Sequence, residues 1–108
     1  MNFMMNGRIF KIETATENEL WGDVGEQNKK DSNYFGRFRP FDQKILLNEL
    51  LTKEQTKYTL IHELTHCYIW CFMSKFDSFD EEDICNIHMN SHDIINKIVN
   101  DYFEEASL

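Results

Sequence analysis

The chain has few of the residues that interrupt regular structure: one proline and four glycines in 108 residues. That leaves little material for an interdomain linker, and no repeat or low-complexity segment is visible. Long apolar runs are missing as well. The longest, CYIWCFM, is far too short to cross a bilayer, and the opening MNFMMNGR has no apolar stretch of the kind a signal peptide needs. A cytoplasmic protein without a membrane partner is therefore expected. The three cysteines are an odd number, so Cys67, Cys71 and Cys85 are read as free, buried thiols. Positive charge is scarce, with 11 Lys and Arg against 19 Asp and Glu and a formal net charge of −8. An acidic surface repels a phosphate backbone, so no nucleic-acid partner is expected. Most of the excess falls in residues 74–108, which reads as a solvated helix face.

What the chain does have is 42% hydrophobic and 14% aromatic residues, enough for one domain, residues 1–108, with its own core. GRIFKIET (Gly7–Thr14) alternates in a strand pattern, with Arg8, Phe10 and Ile12 on one face. ENELWGDVGEQNKKDSN reads as a loop with a short apolar patch (Leu20, Trp21, Val24). YFGRFRPFDQKILLN then reads as a hairpin, with strands Tyr34–Arg39 and Gln43–Asn48 and a turn at Pro40–Asp42, where a residue lacking an N–H is tolerated. Thr52 and Gln55 form a capping box that starts a helix over Lys53–Met73. After the polar break SKFDSFD, a last helix is predicted over Asp80–Glu105, with a buried stripe of Ile84, Ile87, Ile95, Ile98 and Tyr102. The expected class is α+β: a small antiparallel sheet, strand plus hairpin, packed on two helices. Trp21, Trp70 and the phenylalanines are assigned to the core. Arg37 and Arg39, flanking Phe38, are expected to face outward, for solubility or to meet an acidic substrate.

The chemistry-bearing stretch is TLIHELTHCYIW (Thr59–Trp70). Positions four apart lie on one helix face, so His62 and His66 can present two imidazole nitrogens to one zinc ion. Glu63 projects beside them, suited to accept a proton from a water that zinc has acidified to a pKa near ~7. The bland alternative is a helix with two partly buried histidines and a surface glutamate. A zinc hydrolase usually has a third protein ligand. Downstream, FDEEDICNIHMNSH offers Glu81, Glu82, or His88 and His92, the last two more simply surface histidines. Glu81 lies at the edge of the expected buried stripe and Glu82 a further ~100° away.

KILLNELLTKEQTKYTLIHELTHCYIW followed by EEDICNI resembles the small metallopeptidase-like proteins of phages and mobile elements related to the ImmA/IrrE family. The resemblance covers Gly36 to about Ile95 and is specific at HELTH. It implies a minimal zincin-like fold in which His62 and His66 hold zinc and Glu63 is the general base. A glutamate from the next helix, in a pattern close to E-x-x-A-N-x-F, would be the third ligand. Matching the aromatic position to Ile87 selects Glu81, and matching the asparagine to Asn86 selects Glu82. The implied substrate is a regulatory protein of the same element, cleaved at a peptide bond. A second resemblance, to SprT-like proteins, would make His88 or His92 the third ligand. The other function class compatible with these residues is a catalytically idle zincin-fold module of phage or mobile-element origin that docks on a host protein, with the acidic C-terminal third as its surface.

Overall fold

The computed structural model describes residues 1–21, 35–73 and 80–106. In chain order these form β1 (Asn2–Met5), β2 (Arg8–Ala15), α1 (Glu17–Trp21), β3 (Gly36–Arg39), β4 (Lys44–Asn48), α2 (Lys53–Phe72) and α3 (Glu81–Ala106). The expected loop after Trp21, the Tyr34 start of the hairpin, the side chain of Trp21 and most of the break after Met73 lie outside the described residues. The α+β class holds.

The sheet departs from expectation in two ways. It has four strands in the order β1-β2-β4-β3, and it is mixed: β2 and β4 run parallel, whereas β1–β2 and β3–β4 are antiparallel. β4 enters the sheet between β2 and β3 and pairs on both edges, so β3, not the return strand Gln43–Asn48, is the sheet edge beside the helices among the described residues. The extra strand β1 comes from a tight hairpin. Met5 pairs with Arg8, leaving Asn6 and Gly7 as a two-residue loop with φ of 50° and 76°. That left-handed pair matches the right-handed strand twist, and Asn-Gly adopts it at little cost. Asn6 Nδ2 also donates to the Cys71 carbonyl at 2.8 Å, tying the hairpin to the open C-terminal end of α2.

One face of the sheet carries the core. Phe10, Ile12, Ile45 and Leu47 pack there against Leu60, Leu64 and Cys67 of α2 and Ile95, Ile98 and Val99 of α3. Leu60 and Leu64 are fully buried, each contributing about 1.5–3 kcal/mol of transfer free energy. On the other face Leu20 of α1 packs with Ala15 and Leu46, and Glu13 lies 3.6–3.7 Å from the ammonium groups of Lys11 and Lys44. Arg37 and Arg39 share this second face in register but are not a free outward pair. The Arg37 guanidinium donates to the Leu20 carbonyl at 3.0 Å, and Arg39 Nε lies 2.8 Å from Asp42 Oδ2.

The two long helices begin as their sequences dictate. Thr52 Oγ1 accepts from the Gln55 amide and Gln55 Oε1 from the Thr52 amide, the reciprocal box that satisfies two otherwise orphaned donors. Asp80 and Asp83 do the same for α3. The apolar stripe of α3, however, does not extend to its start: Ile84 is 58% exposed, and the first buried residue is Ser91. The opening turns line a crevice with the C-terminal end of α2, formed by Asn86, Ile87 and Asn90 against Tyr68, Phe72 and Met73. Cys85, in the same turns, is exposed rather than buried. Among the described residues no helix is long and apolar enough to cross a membrane.

Candidate functional site

The site is built on the middle of α2, where three faces of one helix meet different surroundings. Leu60, Leu64 and Cys67 turn into the core, and His62 and His66 turn to solvent. Between these directions Glu63 is 4% exposed. The bland alternative had two partly buried histidines and a surface glutamate. Here the carboxylate is held inside and the imidazoles stand at the surface.

Edge strand β3 sets the wall beside Glu63. A Cβ on Gly36 would meet Thr59 Cγ2 at 2.6 Å, the Leu46 carbonyl oxygen at 3.0 Å and Glu63 Cγ at 3.5 Å. Only a residue without a side chain lets the strand approach the helix this closely. At the other end of the same strand, the turn residue Phe41 meets Trp70 edge-on, with ring centroids 5.4 Å apart. β3 thus runs alongside α2 in the same direction, from the Glu63 turn to the Trp70 turn. His62 lies in the Glu63 turn, and His66 lies between it and Trp70.

The imidazoles converge. His62 Nε2 and His66 Nε2 are 3.2 Å apart, with ring centroids at 4.8 Å and planes at 76°. Two nitrogens that each sit about 2.0–2.1 Å from one zinc in a tetrahedral arrangement lie about 3.3–3.4 Å from each other. The same separation lets one neutral ring donate to the other when no ion is bound. The pKa of His66 is lowered, first by loss of water around the ring and then by the neighbouring His62. Both effects favour the neutral imidazole, the form that ligates a metal.

The donor set fits zinc in these two nitrogens, and the third position is not assembled. Among the described residues no group of three or more His, Cys, Asp or Glu side chains is gathered to hold a metal ion. Glu81 and Glu82 are both exposed in the first turn of α3, so burial does not separate them. His88 and His92 are exposed further along α3, their rings 5.8 Å apart, and His92 Nε2 is 3.1 Å from Asn96 Nδ2. Cys67 and Cys71 stay with the core side of α2. Burial pushes both thiols up, so neither is a ready thiolate.

Two features escaped the sequence reading. Gly36 carried a signal, since a glycine inside a strand often marks a close backbone approach. Phe41 had been assigned to the core but is 89% exposed, because it occupies the β3–β4 turn. No protein-family model, characterised protein or solved structure matches the chain.

Proposed function

We propose that the protein is a minimal zincin-like metallopeptidase, similar to the ImmA/IrrE-related proteins, that hydrolyses a peptide bond in a regulatory protein. The observation that carries this reading is the convergence of His62 and His66 Nε2 to 3.2 Å on the open side of a helix whose next residue, Glu63, is buried against the sheet edge. His62 and His66 would hold Zn2+, with Glu81, or alternatively Glu82, supplied from the start of α3. When bound, zinc supplies Lewis-acid activation of a water and of the scissile carbonyl. Glu63 accepts the proton of the attacking water and returns it to the leaving amine. The wall around Glu63 limits the side chain to few orientations, which is what a positioned base requires.

The polypeptide substrate would lie along β3, where an extended segment can add to the sheet edge. The neighbouring strand β4 offers no such edge, because it is paired with β2 on one side and β3 on the other. Comparing zinc-loaded wild type with Glu63→Gln in a proteome-wide cleavage assay tests the reading. Cleavage products that vanish in the variant, with zinc retained, support it. Identical product sets from the two proteins contradict it.

A second reading, the idle zincin-fold module docking on a host protein, is favoured by one observation. The opening turns of α3 expose Ile84 and Met89, at 58% and 70%, two apolar side chains that the hydrolytic reading does not use. An unchanged cellular effect of Glu63→Gln would favour this reading.

A further inference from the structure

The exposed ring of Phe41, set against Trp70, is not explained by folding. Phe41 is 89% exposed in a four-residue turn, so its ring removes little apolar surface from water. The turn itself is closed by backbone, with the Gln43 amide donating to the Pro40 carbonyl at 3.2 Å, and does not require an aromatic at position 41. Yet the ring is held edge-on against Trp70, 5.4 Å between centroids. Trp70 follows His66 by one helical turn on the same face of α2. The pair therefore lies one turn, about 5–6 Å, beyond the histidines on their face of α2.

We propose that Phe41 and Trp70 form a specificity-determining subsite that takes a large apolar side chain of the substrate, located within two residues of the scissile bond. The inference rests on the metallopeptidase reading, and it adds what that reading lacks, a selector of sequence. A strand added along β3 advances about 3.3 Å per residue, so a side chain one or two residues from a carbonyl above His62 and His66 reaches the aromatic pair. A partly solvent-open aromatic platform gains most from an aromatic or branched apolar partner, because each buries surface that water now covers. Beside the platform Arg39 and Asp42 already neutralise each other at 2.8 Å, so the turn presents no net charge to a charged side chain.

The test uses the full chain loaded with zinc and a randomised peptide library. Cleaved peptides should show Phe, Tyr, Leu, Ile or Met enriched at one position within two residues of the cut. In Phe41→Ala and in Trp70→Ala that enrichment should fall about tenfold or more, while cleavage of peptides with small residues there changes little. Cleavage without such enrichment, or enrichment unaltered by both variants, overturns the proposal. A parallel arm measures retention of the same library on zinc-loaded Glu63→Gln protein, with and without each aromatic substitution. If wild type cuts nothing but Glu63→Gln protein retains apolar peptides through Phe41 and Trp70, the subsite stands and the hydrolytic reading falls. If there is neither cleavage nor selective retention, both fall. Thermal unfolding of each variant separates loss of fold from loss of the subsite.

Discussion

Two helices of this chain each carry histidines four residues apart, and they do different things with them. On α2 the two Nε2 atoms approach to 3.2 Å; on α3 the rings stand 5.8 Å apart and His92 turns to Asn96. The residue after the first histidine is Glu63 on α2, 4% exposed, and Met89 on α3, 70% exposed. The helices are also held differently. α2 is capped by Thr52 and Gln55 at one end, tied by Asn6 to the Cys71 carbonyl at the other, and walled by β3 between. The opening turns of α3 line a crevice with the C-terminal end of α2 and bury no side chain before Ser91. Spacing alone therefore does not make a site. What separates the pairs is a fixed helix that turns one carboxylate inward while both imidazoles face out.

The largest expected effect is at Glu63. Glu63→Gln should lower the hydrolysis rate by about 100-fold to 10,000-fold with zinc content unchanged, as expected for loss of a general base. The matching substitution on α3, Met89→Gln, should leave the rate unaltered, and peptide-cleavage kinetics of the two variants would sharpen or erase the contrast. Next comes the wall. Gly36→Ala forces β3 away from Thr59 and Glu63 and should cost about 1–3 kcal/mol of stability, read by chemical denaturation. Thr52→Ala removes one half of the capping box and should cost about 1 kcal/mol, seen as a lower Tm.

The smallest effect concerns pH. Folded His66 binds its proton less readily than the ordinary value of 6.5. As pH falls below that value the unfolded chain takes up the proton first, so metal-free protein loses stability from about pH 6.5 downward until the folded-state pKa is passed. Above pH 6.5 this contribution is fully present. Denaturation midpoints between pH 5 and pH 7 should therefore rise with pH by a larger margin in wild type than in His66→Gln.

Much of this arrangement was legible. The Thr52 box, the alternation in Gly7–Thr14 and the Pro40 turn are local signals, and each produced its element within a residue or two. The parallel pairing of β2 with β4 was not legible, because nothing in KILLN distinguishes a strand paired on one edge from one inserted between two. β1 was missed although Asn6-Gly7 signals a tight hairpin, since methionines blur the alternation in NFMM. Ile84 was misassigned because helical periodicity continues through the opening turns of α3, whereas burial begins only at Ser91. At the site, the spacing of His62 and His66 gave their shared face. The burial of Glu63 depends on Gly36, 27 positions earlier, a contact no local pattern encodes.

The most direct measurement is the zinc content of purified protein after dialysis against trace metal, for wild type and His62→Ala side by side. Wild type is expected to retain one zinc ion per chain, and His62→Ala, its fold intact by circular dichroism, is expected to retain none. A wild type without stoichiometric zinc, or a His62→Ala protein that holds it equally well, would contradict the site on α2.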